Sequence, residues 1–581
     1  MKHWPQRERA RDLLSREVGY VRKPHGGRLR VALAFPNTYF VGMSNLGFQT
    51  IYRLFNAEPD IVCERVFLPP KTELAQQLAS RTRLLTLESQ TPVSDFDVLA
   101  FSVSFEWDYT NVLTILRLAG LHPRAEARSP RDPLVVIGGA VTFVNPEPLA
   151  PFADVIAAGE GEVLVPSLLR AFQAASSRAD LLRQLALERG YYVPSFYDVR
   201  YGDDRAIAAV VPREGSGAPP TVKKAALKTT EAVDPPATMI YTPDTEFGSR
   251  FLVEVVRGCA NLCRFCWAGY NYLPVRAFPT ERILQLAQEA RPHASRAGLV
   301  SIALCDHPDI EEILTRLAGM GYAISPASLR LDDITPRVVQ LLRASGERTI
   351  TIAPETGSDR LRRVVNKTVT NDEILASAEM IFAAGVENLK LYFMIGLPTE
   401  ADEDLVAIRD LVAKLRAIMV AHARGRGHIG RIVGSVNPLV PKPGTAYQWL
   451  PMEGNAAIER KIQRMRTLMS GLDNVFFNIK SERHSFYQAL LSLGDRRVAP
   501  AIEAAERNGG NWPAAVAEAG IDADFFVFRD RSRDAILPWD IIDGGMKAEF
   551  FRTELDKALR EEWTLPPKRL KENARLLPIL Q

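Results

Sequence analysis

Twice along this chain, short apolar runs that stop at loop residues alternate with helical stretches. The first series lies at 29–35 (LRVALAF, ended by Pro36-Asn37), 97–103 (DVLAFSV), 134–137 (ended by Gly138-Gly139) and 154–158 (ended by Gly159-Glu160-Gly161-Glu162). Helical patterns such as 46–55 and 111–118 separate them. Short, continuously apolar runs bounded by turn residues read as strands buried on both faces. Their alternation with helices implies a doubly wound, Rossmann-like parallel sheet, expected over residues 1–200. Ligands of such sheets bind beyond the carboxyl ends of the strands, so the four loops should share one edge.

The second series lies at 251–256, 299–304, 323–329, 349–352, 389–395 and 432–439, with amphipathic helices such as 281–290, 310–317 and 402–418. About six β/α units make a partial or full α/β barrel over 249–480, whose chemistry belongs at the strands' C-terminal ends. Residues 201–248, with GSGAPP at 215–220 and Pro235-Pro236, read as a connector. Residues 481–581 read as a mainly helical C-terminal domain. The fold class is therefore α/β, and 581 residues suit three or four compact units at ~150 residues each.

Lys plus Arg is 72 and Asp plus Glu is 69, a net charge of +3. That balance argues against a general polyanion binder and gives no clear nucleic-acid signal. The stretch RGRGHIGR at 424–431 is open to two readings, a solvated loop or a basic contact for RNA. The charged start MKHWPQRERARDLL has no apolar leader segment, and no run of ~18 apolar residues occurs. A cytoplasmic chain without a membrane partner is expected.

The five cysteines are too few for a disulfide framework, and three crowd into RGCANLCRFCW at 257–267. Cys259, Cys263 and Cys266 begin three residues past the first barrel run. Three thiolates on one short loop can hold three irons of a [4Fe–4S] cube and leave the fourth iron open to a substrate or cofactor. A zinc site is the alternative, but it normally takes four ligands in paired spacings. Neither a histidine nor a fourth cysteine lies close in sequence.

Cys-x3-Cys-x2-Cys, with aromatic Phe265 before the third cysteine on the loop after the first barrel strand, resembles the radical S-adenosylmethionine (SAM) superfamily. The resemblance covers roughly 250–480. It implies metal ligands Cys259, Cys263 and Cys266, with SAM chelated at the fourth iron and cleaved to a 5′-deoxyadenosyl radical. It implies an electron donor such as flavodoxin or ferredoxin as partner. It also carries SAM contacts onto Phe265, Trp267, Cys305, Asp306, Ser328, Arg330, Glu355, Gly357, Ser358 and Asn437. The second-strand segment SIALCD departs from the family's Gly-Gly-Glu, while Glu355-Thr356-Gly357-Ser358 with Asn366-Lys367 resembles the signature of the branch that contains methylthiotransferases. Those enzymes need three further N-terminal cysteines, and only Cys63 precedes Cys259. Cys63 itself has two readings, a ligand contact or, as is commoner for a single cysteine beside apolar residues, a small buried hydrophobe.

A doubly wound domain ahead of such a barrel resembles the cobalamin-binding class. The implied cobalamin contacts are Asn37, Thr38, Tyr39, Ser102, Ser104, Gly138, Gly139, Glu160 and Gly161. The Asp-x-His-x-x-Gly motif of other cobalamin domains is absent, so a bound corrin would lack that histidine. The whole chain resembles a subgroup of radical SAM proteins of uncharacterised role. The expectation is a cobalamin-dependent methyltransferase acting on an unactivated carbon of an unassigned substrate. In that scheme one SAM methylates cobalamin and a second yields the radical. The alternatives are radical chemistry without methyl transfer, or a non-catalytic cofactor-binding protein.

Overall fold

A computed structural model describes residues 3–327, 329–331, 334–424 and 427–565. The first sheet is built from β1 (Leu29–Thr38), β2 (Ile61–Leu68), β3 (Val98–Ser102), β4 (Leu134–Gly138), β5 (Val155–Ala157) and β6 (Tyr191–Tyr192). Its order is β2-β1-β3-β4-β5-β6, parallel except for the last pair. Both faces are covered. Val31 and Leu33 pack with Phe48 and Leu168 on one side, and Ala32 and Ala34 pack with Leu113 and Leu116 on the other.

β2 was not expected, because its sequence IVCERVFL breaks an apolar run with two charges. Both are accommodated inside. Arg65 is fully buried, its guanidinium donating to both oxygens of Glu17 at 2.7 and 2.6 Å and to Glu88 at 2.7 Å. Cys63 is wholly buried in the apolar core, as a small hydrophobe would be.

Between the two main domains lie the hairpin of β7 (Tyr197–Tyr201) and β8 (Ile207–Pro212) and the short β9 (Val222–Lys223). The barrel then holds β10 (Phe251–Arg257), β11 (Arg276–Ala277), β12 (Arg296–Ser301), β13 (Ala323–Pro326), β14 (Thr349–Glu355), β15 (Asn388–Ile395), β16 (Ile432–Pro438) and β17 (Val475–Ile479). All six expected strands are present. β17 is a seventh parallel strand and β11 an antiparallel edge. They form two sheets, β11-β10-β12-β13 and β14-β15-β16-β17, which meet where the Leu329 amide donates to the Thr351 carbonyl at 3.2 Å. β11 and β17 remain edges, so the barrel is partial.

The C-terminal part is mainly helical, with Glu482–Leu493, Ala499–Arg507, Trp512–Ala519 and Ala548–Leu559, and its β18 (Ile542–Asp543) pairs with β9. It binds both other domains. Asn145 donates to the carbonyls of Ser492 and Gly494, and Arg124 pairs with Glu503 at 2.8 Å. Lys442, on the loop after β16, reaches both Glu106 of the first domain and Ser492. Among the described residues no helix is long and apolar enough to cross a membrane.

The buried arginine of β2 offers a direct check. Arg65→Ala would leave the Glu17 and Glu88 carboxylates without their cation in a dry core. Stability of the first domain should fall by about 3–5 kcal/mol, read as a shift of the first urea-unfolding transition to lower denaturant.

Candidate cluster loop and interdomain cavity

The strand β10 ends at Arg257 and the chain turns at Gly258. Its φ is +94°, and a Cβ there would lie 2.5 Å from the Tyr272 carbonyl oxygen, so only glycine fits. The loop is then fixed by its own backbone. The Leu262 carbonyl accepts from the Tyr270 hydroxyl at 3.0 Å and from the Asn366 amide at 3.2 Å, and the Arg264 N–H donates to the Val365 carbonyl at 3.1 Å.

Arg264, between the second and third cysteines, has no solvent exposure. Its guanidinium donates to the carbonyls of Arg363 (2.7 Å), Val364 (3.2 Å) and Glu562 (2.9 Å), and its Nε pairs with buried Glu554 at 3.0 Å. The first two carbonyls end the helix Asp359–Val365, so one side chain caps that helix and ties the loop to the C-terminal helix Ala548–Leu559.

All three cysteines are free, and burial pushes their thiols up, that of Cys259 to about 11. Opposing groups surround them. Arg330 favours the Cys259 thiolate and Lys367 those of Cys263 and Cys266, while backbone amides of Asn261, Ala268 and Gly269 donate toward Cys259 and Cys266. Buried thiols ringed by cations and amide donors suit a ligand that replaces their protons with metal. Among the described residues no three His, Cys, Asp or Glu side chains close on one ion. Three thiols on one loop, within reach of Arg330 and Lys367, are the kind of donor set that a cube takes, one thiolate to each of three irons.

Around the loop, Asp306 and Arg330 form a buried pair at 2.9 Å beside Cys259. Glu355 ends β14 at φ +65° and pairs with Lys367 at 3.2 Å beside Cys263 and Cys266; burial raises its carboxyl above the usual range despite that lysine. Phe265, Trp267 and Cys305 are half-buried nearby. Asn437 lies farther along, on β16. Ser328 lies outside the described residues. Two expected SAM contacts are taken up locally instead. A Cβ on Gly357 would lie 2.0 Å from the Ile408 amide nitrogen, so its glycine serves helix packing. Ser358 caps the helix Asp359–Val365 and donates to Asp404 at 2.5 Å.

A cavity of about 560 Å³ joins the two main domains. Ser102, Ser104, Gly138, Gly139, Glu160 and Gly161 line it from the strand ends of the first sheet, and Glu254, Val256, Arg257 and Gly258 line it from the barrel. It continues between the first sheet and its helices as an apolar slot bounded by Leu33, Ala100, Val136, Ile51, Leu168 and Tyr191. Phe143, after the Gly-Gly turn, meets Trp267 and Tyr272 edge-on at 5.9 and 5.6 Å. The cavity wall thus abuts the cluster loop.

The slot-forming side chains were not foreseen, because each reads as ordinary core. Conversely, Asn37, Thr38 and Tyr39 do not line the cavity. Asn37 donates to Asp108 at 2.9 Å, and the Tyr39 hydroxyl donates to Glu17 at 2.5 Å in the Arg65 cluster. Gly139 and Gly161 are also explained by protein contacts. Added Cβ atoms would lie 2.3 Å from the Val103 carbonyl oxygen and 2.1 Å from the Ile51 side chain, whereas at Gly138 nothing lies closer than 3.6 Å.

Glu160 is held by Arg276 at 2.7 and 3.0 Å and by Arg257 at 3.1 Å. Burial opposes its charge, but the two arginines prevail and its pKa falls below the usual value. Arg257 also binds Glu162 and Glu254, each at 2.8 Å. For Glu254 burial prevails and the carboxyl is raised. Trp107 stacks on His484 of the C-terminal part, with ring centroids 4.5 Å apart, and is not among the cavity's lining.

Residues 253–412 match the family described as the radical SAM superfamily, and residues 47–194 match radical SAM proteins, N-terminal. An uncharacterised protein of Methanocaldococcus jannaschii is 27% identical over 481 residues, 81% of this chain and 90% of that one. The tRNA-2-methylthio-N(6)-dimethylallyladenosine synthase of Aeromonas hydrophila is 23% identical over 276 residues, 44% of this chain and 53% of its own, so only about half of that enzyme is matched. Among solved structures, the radical SAM methyltransferase TsrM from Kitasatospora setae, with tryptophan and a SAM analogue bound, aligns at TM-score 0.49 and 12% identity over 85% of this chain and 100% of that one. The cobalamin-dependent SAM radical enzyme OxsB aligns at 0.45 and 14% over 66% and 52%.

Two expected outcomes follow from these contacts. Glu554→Gln leaves Arg264 buried without its counter-charge, and the reconstituted protein should retain fewer irons per chain, read by iron and sulfide analysis. Asp108 is raised to about 6 by burial, against hydrogen bonds from Asn37 and Asn111. Its folded pKa exceeds its ordinary 3.8, so the folded state holds the proton more tightly. The resulting stability is full below pH 3.8 and lost as pH rises through about 6. Asp108→Asn keeps an oxygen to accept both amides and should stabilise the fold by about 2–3 kcal/mol at pH 7–8, with no gain below pH 4, measured by urea denaturation across pH.

Proposed function

Starting from a chain that belongs to the radical SAM superfamily, and so is an enzyme of that kind, we propose that it is a cobalamin-dependent methyltransferase acting on an unactivated carbon. The observation that carries this reading is the continuous cavity. It opens in an apolar slot of the first sheet and ends at Gly258, one residue before Cys259. A reaction that needs a carrier and a radical source at one carbon requires both held against a common space.

With its cofactors bound, the cluster would supply the electron that cleaves SAM, and the corrin would carry the methyl group. Cys259, Cys263 and Cys266 would hold the cluster, and the loop contacts of Arg264, Asn366 and Tyr270 keep their backbone in place before it arrives. The Asp306–Arg330 pair beside Cys259 and the Glu355–Lys367 pair beside Cys263 and Cys266 would offer both signs of charge to the ammonium and carboxylate of SAM. The slot of Leu33, Ala100, Val136, Ile51, Leu168 and Tyr191 would take a flat apolar group such as the base of the corrin's nucleotide tail. Ser102 and Ser104 offer hydroxyls at its mouth, and Gly138 leaves the backbone open to a flat ring. Phe143, Trp267 and Tyr272 close one side against water, which a radical intermediate needs. A reduced flavodoxin or ferredoxin would supply the electron.

Anaerobic incubation of the reconstituted protein with methyl-labelled SAM and a reductant tests the reading. Deoxyadenosine together with label on corrin or product is expected, and deoxyadenosine without methyl transfer would remove the methyltransferase assignment. Replacing any of the three cysteines by Ala should abolish SAM cleavage. Ala100→Trp fills the slot and should abolish the corrin absorbance of the purified protein while its iron content stays at the wild-type level.

A further inference from the structure

β17 is the last strand of the partial barrel, and its outer edge is bare. In its parallel ladder the Ile432 N–H donates to the Asn474 carbonyl at 2.9 Å and the Lys480 N–H to the Val436 carbonyl at 3.1 Å. Every second residue of β17 thus turns its backbone to β16, and Phe477 and Ile479 turn theirs outward. Among the described residues no strand pairs with that edge, and the N–H and C=O groups of Phe477 and Ile479 have no partner. A bare edge is a template for a further strand.

The two faces of β17 are distinct. Phe477 covers Gly434, where a Cβ would lie 2.2 Å from its ring, and stacks on buried Phe393 with centroids 6.4 Å apart, so it faces the helices. Exposed Phe476 and Asn478 lie in register with Val433 and Ser435 on the other face, toward the lumen. A cavity of about 580 Å³ draws on both faces. Ser435, Asn437 and Asn478 line it from the lumen side, and Phe477 with Arg466 and Met469 of the helix Asn455–Met469 from the other. A groove walled by both faces of a sheet follows the edge of that sheet. Its charge is of one sign, since Arg466 and Lys480 line it and no carboxylate does. Among the described residues neither cation has an ion-pair partner. Arg466 lies in the last turn of the helix that leads into β17, and Lys480 follows the end of the strand, continuing the lumen set. The two cations mark the two ends of one strand's length, about 16 Å or five residues of extended chain, and they lie on opposite faces.

We propose that an extended acidic polypeptide segment adds to β17 as the next strand of the sheet, and that this segment is the substrate. The inference rests on the methyltransferase reading above for the chemistry done on it. Outward N–H and C=O groups on alternate residues call for a backbone with donors and acceptors at the same spacing, which a polypeptide supplies. Two carboxylates five residues apart on a strand point to opposite faces, as Arg466 and Lys480 do. The lumen-facing side chains of such a segment run past Ser435 toward Asn437, at the C-terminal end of β16. That is the end at which the chemistry of these barrels sits and from which the cysteine loop leaves β10.

Anaerobic calorimetry of the reconstituted holoprotein with the acetylated and amidated hexapeptide Glu-Thr-Val-Thr-Val-Glu tests the site. Saturable binding at one site per chain is expected. The same peptide N-methylated along its backbone, or with lysine in place of both glutamates, should bind about tenfold more weakly or not at all. Arg466→Gln and Lys480→Gln should each weaken binding about two- to fivefold, the value of one exposed ion pair. Ile479→Pro removes an outward N–H from an edge where proline is tolerated, and should weaken it about tenfold. Arg464→Gln, on the same helix but paired with Asp402, should change nothing. At saturation the peptide should alter the rate of deoxyadenosine formation from SAM, and an unchanged rate overturns the substrate assignment. No binding of the hexapeptide, or equal binding of its N-methylated form, overturns the site. So does binding of oligouridylate in place of the peptide, which would give the groove to RNA, or a wild-type dimer that Ile479→Pro dissociates, which would seat a second copy there. Should Ile479→Pro fold poorly, the N-methylated peptide decides the same point. Peptide binding without any SAM cleavage counts against the enzymatic reading alone, and cleavage without peptide binding against this site alone.

Discussion

Arg257 is the point on which the site turns. It ends the first barrel strand two residues before Cys259, and its guanidinium touches three carboxylates, Glu254 of its own strand and Glu160 and Glu162 of the first domain. Burying such a charge costs several kcal/mol unless its partners are complete. Here they are complete only when the two domains are docked, with Arg276 taking the remaining oxygen of Glu160. The same contacts that join the domains set the polar end of the cavity between them. Domain docking and site assembly are therefore one event.

A second junction repeats the principle on the opposite side. Glu106 follows β3, Lys442 follows β16 and Ser492 belongs to the C-terminal helix Glu482–Leu493, and all three meet in one hydrogen-bonded group. Burial works against the Glu106 carboxylate, yet Lys442 holds it below its usual pKa. The helical C-terminal part, which carries no sequence signature of chemistry, thus acts as a brace across the first domain and the barrel.

Much of this was legible in the sequence, and the failures have physical causes. Long apolar runs such as LRVALAF announced β1, and the three crowded cysteines announced the loop. β2 stayed hidden because Glu64 and Arg65 lie inside it, and a buried salt bridge looks like a surface turn until its partners, Glu88 and Glu17, 23 and 48 residues away, are seen. β17 stayed hidden because an edge strand on an open lumen need not be apolar on both faces. Gly139 and Gly161 line the cavity as ligand-facing glycines would, but each, like Gly357, also leaves room for a neighbour: the Val103 backbone, the Ile51 side chain and the Ile408 backbone. Sequence alone does not separate these causes, since a missing side chain serves a ligand and a close backbone equally well. Ser358, Asn37 and Tyr39 fell to the same ambiguity, polar groups used by the protein itself. The slot in the first sheet had no signal at all, because an apolar wall around a cavity has the composition of an apolar core.

The fastening of the three-cysteine loop has a consequence in time. Arg264 lies between two of the three cysteines, yet its carboxylate partner Glu554 comes 290 residues later. At ordinary rates of synthesis that separation is about 15–60 s. Throughout that interval the thiol loop exists without its clamp, open to air and to stray metals. The order of the chain therefore postpones the fastening of the cysteine loop until the C-terminal brace has been made.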